Sequence, residues 1–176
     1  MMQLVRNIFI LLFAGAAAFF DWRTSKIPNV LLLLGAAGGF FLSLHPIYLV
    51  RLVLPLLLLY PLYYLRMMGA GDVKLYAVYA GLLGLQDWVV MFFLSLFLAA
   101  RWSVHRIWSK DLFQERLLKI KTYAADMFAS RNLRPYFIRG TDPDHAVIPL
   151  AVPMFLAVVV VSLFSYKEVI EMWILA

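Results

Sequence analysis

IFILLFAGAAAFFDWRTSKIPNVLLLLGAAGG, residues 8–39, decides the fold class. From Ile8 to Phe20 no side chain is charged, and the same holds from Val30 to Gly39. Between them lie Asp21, Arg23, Lys26 and the dipeptide Pro28-Asn29, a polar turn whose proline sets up the start of a second helix. Two apolar runs joined by a short charged turn predict a helical hairpin in a bilayer, because a span takes about 20 residues. Further apolar runs extend the pattern. They lie at about 4–20, 30–44, 47–65, 73–85, 88–100 and 146–164, and predict an all-α, polytopic membrane helix bundle of about six transmembrane helices.

Composition agrees. The chain has 176 residues, 64% of them apolar, and a mean hydropathy of +0.85. Soluble domains sit nearer about 45–50% apolar, so a water-soluble globule is excluded. Residues 1–176 are expected to form a single membrane-embedded domain with a basic cytoplasmic segment at about 101–145. The first run is expected to stay as an uncleaved span, although Ala16-Ala17-Ala18 resembles a small-residue cleavage site. There is no cysteine, which removes disulfides, thiolate metal sites and a cysteine nucleophile.

Basic residues set the orientation. The fourth and fifth runs are divided only by Gln86-Asp87, and one fused helix would leave 5 of the 16 Lys and Arg opposite 11. Two separate helices give 13 against 3, with Arg6, Arg51 and Lys167 alone on the far side. The second pattern is cleaner, and it keeps Asp87 out of mid-membrane, where an acid costs about 2.5–3.5 kcal/mol. Six spans, both termini outside and the basic loops in the cytoplasm follow. Residues 101–145 hold nine of the cations. Leu112, Phe113, Leu117, Ile120, Ala124, Met127 and Phe128 recur there at mostly helical spacing. That suits either a helix lying in the anionic headgroup layer or a solvated helix that only sets topology. No recognition motif accompanies the charge, so no nucleic-acid partner is expected.

Carboxylates at the ends of spans are the informative residues, since hydrocarbon penalises them. Asp21 ends the first run and Asp72 begins the fourth; in the six-span topology both lie at the same cytoplasmic depth and can meet. Two adjacent carboxyls tend to share one proton. Such a pair suits peptide hydrolysis: the ionised member takes a proton from water while the protonated member polarises the scissile carbonyl and then serves the leaving amine. The plainer alternative makes each acid a helix cap or the partner of a cation such as Arg23 or Lys74. Two glycines in Gly69-Ala70-Gly71-Asp72-Val73-Lys74-Leu75 allow close backbone approach beside the second acid, with Gly71 expected to pack against the site.

Taken together, Asp21 followed by Ile27-Pro28-Asn29, and Gly69-x-Gly71-Asp72-x-Lys74-Leu75, resemble the type IV prepilin peptidases, the Gly-x-Gly-Asp family of intramembrane aspartic proteases. The matched region covers about 55 residues. The resemblance implies catalytic roles for Asp21 and Asp72 and supporting or substrate-binding roles for Gly69, Gly71, Lys74, Pro28 and Asn29. It implies no cofactor and no metal. The substrate it implies is an Flp-type prepilin whose hydrophobic helix enters the bundle, with membrane lipids and pilus-assembly components as further partners. Longer bacterial members carry a four-cysteine cytoplasmic segment near the part linked to N-methylation; without cysteine, the resemblance is to the short Flp, or tight-adherence, type, with no methyltransferase activity. Archaeal preflagellin peptidases share the architecture. The implied place is the bacterial inner membrane, with the active site at the cytoplasmic face.

Two other functions use the same residues. A small proton-coupled transporter or channel would employ Asp21 and Asp72 as a relay, although the paired repeats common in carriers are not seen. A non-catalytic assembly subunit would tolerate loss of either acid. Neighbouring genes for small pilins with basic leaders would separate these readings. Lys74 biases the second acid or holds substrate, or else is a border cation that snorkels. Arg23 and Lys26 read as topology signals, His45 as interfacial, and His105 and His145 as no ligand cluster. Trp102, Trp108 and Tyr123 read as headgroup anchors, Pro55 as a kink in the third span, and Pro149 and Pro153 as kinks in the sixth. Ile148-Pro149-Leu150 is a candidate lining of the substrate groove.

Overall fold

A computed structural model describes residues 2–108, 118, 121–122 and 149–174. Among these residues every regular element is helical. The helices are α1 (Met2–Thr24), α2 (Asn29–Ser43), α3 (Ile47–Tyr64), α4 (Ala70–Leu83), α5 (Leu85–Trp108) and α6 (Ala151–Ile174). The apolar face expected at 112–128, and Ile148, lie outside the described residues.

Leu4–Thr24, Ile47–Tyr64 and Leu85–His105 are long and apolar enough to cross a membrane, while Asn29–Ser43 and Ala151–Phe164 are shorter apolar helices. The outward faces carry bare hydrocarbon, with Leu12, Leu33 and Phe41 about 70% exposed (69%, 70% and 71%). In water that surface would be untenable; in lipid it is the expected exterior of a bundle whose main-chain groups are satisfied internally. This is a membrane protein.

The centre is α4. Val73 and every residue from Leu75 to Leu82 are buried, as expected for a helix that is apolar all round. It packs against α3, α2, α5 and α1, while α6 lies against both α1 and α5. Close approach depends on missing side chains. A Cβ at Gly35 of α2 would run into the ring of Phe13, and one at Gly81 of α4 would lie 2.7 Å from Tyr48 Cε2. Tyr48, itself buried, closes this seam by donating its hydroxyl to the Ala36 carbonyl at 2.8 Å.

The break between α4 and α5 falls at Gly84, not at Gln86-Asp87. Gly84 has φ +90° and ψ 162°, a conformation open to glycine and closed to most residues. Its N–H still bonds the Ala80 carbonyl at 3.1 Å, so it closes α4 while turning the chain away. Asp87 then sits in the first turn of α5, where an acid suits the helix dipole. The two prolines expected to kink the last helix instead mark its start: Pro149 precedes α6, and Pro153 lies in the first turn, where a missing N–H costs no helical bond. Pro55 does lie inside α3, together with Pro61.

Candidate functional site

Asp21 lies in the last turn of α1. Below it the helix ends because Ser25 turns into the left-handed region at φ 50°, with its N–H held by the Asp21 carbonyl at 2.8 Å. The Thr24 hydroxyl lies 2.8 Å from the Phe20 carbonyl and 2.9 Å from that of Lys26. These bonds stop the helix one turn after the acid and free residues 25–28 to cross to α2. The Asp21 side chain points inward and is 6% exposed. Its Oδ2 accepts the main-chain N–H of Ala151, the first residue of α6, at 3.0 Å.

Asp72 lies in the first turn of α4, whose N-cap is Gly69 with extended backbone at φ −70° and ψ 149°. Its carboxyl turns back onto the Gly69 main-chain N–H, the return half of a capping box. The Asp21 carboxyl lies near enough for its charge to act on that of Asp72. Thus the C-terminal end of α1 and the N-terminal ends of α4 and α6 meet at one end of the bundle, with a carboxyl from each of the first two. Trp22 and Trp102 meet near the same end, ring centroids 6.0 Å apart. Among the described residues no cation is paired with either acid: Asp21 is held by Ala151, and Asp72 by Gly69.

The segments around the acids are joined. Lys74 Nζ donates to Asn29 Oδ1 at 3.2 Å, so it spans from α4 to the first residue of α2 and is not a counter-ion of Asp72. Pro28 is the N-cap of α2, in extended conformation. Ile27 packs against the core, and a Cβ on Gly71 would lie 3.6 Å from Ile27 Cβ, an ordinary contact. Gly69 is the tighter glycine: a Cβ there would lie 2.9 Å from Asp72 Oδ2. The sequence pointed to Gly71 as the close approach; the geometry puts it at Gly69. The Lys74–Asn29 link is exposed and its expected contribution is about 1 kcal/mol. A double-mutant cycle of Lys74→Met and Asn29→Ala, read by unfolding in detergent, should therefore give a coupling near that size; additive effects would mean the bond is not made in solution.

Beneath Asp72, one turn along α4, the buried Tyr76 hydroxyl meets Ser95 Oγ of α5 at 2.6 Å, and Ser95 in turn donates to the Phe92 carbonyl at 2.8 Å. With the Ser95 proton so directed, Tyr76 is the donor of the first bond. His45 has no part in the site; its Nδ1 accepts the Ile47 N–H at 3.2 Å where α3 begins. Ala151 and the Tyr76–Ser95 pair carry no motif and were not found by reading the sequence. For Ala151 the only signal was the pair of prolines that brackets a helix start.

Chemically, two carboxyls that share a field, one with an oxygen bound only by a main-chain N–H, form an arrangement able to exchange a proton with a bound water. In comparison with known proteins, the family model described as the type IV leader peptidase family matches residues 8–104, more than half of the chain. No curated protein and no solved structure matches.

Proposed function

Since the chain belongs to the type IV leader peptidase family, and is a membrane peptidase at that level, we propose that it hydrolyses the leader from prepilins with Asp21 and Asp72 as a two-carboxylate pair. The observation that supports this reading is the placing of two acids, from the end of α1 and the start of α4, at one end of the bundle with no cation paired to either among the described residues. Each acid also caps a helix start, Asp72 that of its own helix and Asp21 that of α6, but capping needs no second carboxyl beside it, and a pair of acids from two helices gains nothing for the fold.

One carboxylate takes a proton from water as the water attacks the scissile carbonyl. The other, protonated, donates to the developing oxyanion; as the intermediate collapses it takes that proton back, the first carboxyl passes the water's proton to the leaving nitrogen, and the amine departs neutral. The substrate is an Flp-type prepilin: its hydrophobic helix lies among the spans and its basic leader reaches into the cytoplasm. The bond to be cut must leave its helix, because a helical amide is shielded by its own hydrogen bonds. Six spans, both termini outside, would bring the acids to the cytoplasmic face of a bacterial inner membrane, with residues 1–176 as one domain and 101–145 as its basic cytoplasmic segment. Gly69, Gly71, Pro28, Asn29 and Lys74 support the acids. No methyl transfer accompanies cleavage.

The test uses purified protein, a synthetic prepilin and selective reagents. Cleavage is expected to be unchanged by a chelator and by serine- or cysteine-directed reagents, because carboxylates activate the water. Loss of cleavage on chelation, restored by zinc, would overturn the mechanism.

A further inference from the structure

The family match ends at residue 104, yet the polar contact on Asp21 comes from residue 151. This contact has an unusual provenance. In α6 the first helical bond runs from the Met154 N–H to the Leu150 carbonyl at 3.2 Å, so the N–H groups of residues 151–153 have no intrahelical partner. Residue 153 is proline and has none to offer. The Val152 N–H folds back to the Pro149 carbonyl at 3.4 Å. Only the Ala151 N–H leaves the helix, and it goes to Oδ2 of Asp21, between a residue 0% exposed and one 6% exposed. No side chain of α6 is needed for it.

We infer that the Ala151 main-chain amide is the positioning group for Asp21, fixing Oδ2 and leaving Oδ1 as the oxygen that meets the attacking water. The inference rests on the catalytic reading of Asp21 and deepens it. With Oδ1 left to meet the water, Asp21 takes the base's part and Asp72 the acid's; the bonding alone does not divide them, because each acid accepts one main-chain N–H beside a helix N-terminus. The local bond from Gly69 to Asp72 comes from that residue's own helix turn; the bond to Asp21 ties it to a separate helix. Of the elements packed on α1, α2 carries no charged residue, and α5, which meets it where Trp102 faces Trp22, carries Arg101 and His105 nearby with neither paired to Asp21 among the described residues. From α4 comes Asp72, with Lys74 turned to Asn29. The charged residues of α6, Lys167, Glu168 and Glu171, come at least four helical turns after Ala151.

The experiment removes one N–H and otherwise only weakens the Leu150 carbonyl that accepts the Met154 N–H, a side effect that an ester one residue on reproduces at the next carbonyl. In the full chain, reconstituted in liposomes, Ala151 is replaced by lactic acid, which turns its amide into an ester of the same shape; the equivalent ester at Val152 is the control. The probe is a synthetic peptide with a basic leader, a glycine and an apolar helix. The Ala151 ester is expected to lower kcat by about 10- to 100-fold with KM unchanged. It should also move the acidic limb of kcat/KM to higher pH by about one unit, because without the donor the carboxylate is protonated earlier as pH falls. The Val152 ester should change neither. Ala151→Pro, suited to a first helical position, should reproduce the Ala151 ester. Wild-type kcat and an unmoved limb in the Ala151 ester would overturn the inference, as would a loss of rate with the limb unmoved. Asp21→Asn, run alongside, keeps the two readings apart: if it is inactive while the Ala151 ester is normal, only the positioning role fails, and if it is active, the catalytic reading fails with it.

Discussion

Asp21→Asn and Asp72→Asn are each expected to lower prepilin cleavage by about 10²- to 10⁴-fold, the usual worth of a general acid or base. The double variant should be no worse than either single one, because the two groups act as a unit. Asparagine keeps the shape, and the partner of each acid is a main-chain N–H that an amide oxygen also accepts, so abundance and membrane insertion should stay near wild type. Immunoblots of precursor and mature pilin, with the protease quantified in the same membranes, provide the readout. Mature pilin at wild-type levels with either variant would remove that residue from the mechanism and leave the proton-relay or assembly-subunit reading to be considered.

Gly69→Ala is expected to produce the second largest loss. A Cβ at that position would come to 2.9 Å from Asp72 Oδ2, and the group it meets is the mobile end of a side chain. The fold can therefore absorb the substitution cheaply by turning the carboxyl away, but turning it away is what the chemistry cannot absorb. An ångström-scale displacement of a reacting group costs on the order of 100-fold in rate. Gly71→Ala should be far milder, since its Cβ meets Ile27 at an ordinary 3.6 Å; Gly71→Val, which adds branches towards Ile27, should fall between. Rates measured on purified variants of matched thermal stability would check the order. Equal activity of Gly69→Ala and wild type would show that the carboxyl has room to spare.

Much of this site is written in side chains and so was legible. An acid at the end of one apolar run and another at the start of a later one can be counted to the same end of a bundle, and Asp21 and Asp72 lie at that end, in the last turn of α1 and the first turn of α4. The helix start at Pro28-Asn29 is local chemistry, and α2 begins at Asn29. The break before α5 was misread because Asp87 drew attention as the polar residue, whereas the chain turns at Gly84, whose φ of +90° supplies the turn. A glycine directly after the last apolar residue of a run is the signal that was available. What could not be read is of another kind. The Ala151 bond belongs to the main chain and leaves no mark in residue type. The tightness at Gly69 depends on which way the Asp72 side chain turns, and the Lys74–Asn29 link depends on how α2 packs against α4.

The most direct measurement is mass spectrometry of a synthetic prepilin incubated in detergent micelles with equal amounts of purified wild type, Asp21→Asn and Asp72→Asn, a chelator present throughout. The expected result is a single cut by the wild type, releasing the basic leader from the intact hydrophobic helix, and uncut precursor with both variants. The same cut at a wild-type rate by either variant, or no cut by the wild type until metal is restored, would contradict a two-carboxylate peptidase.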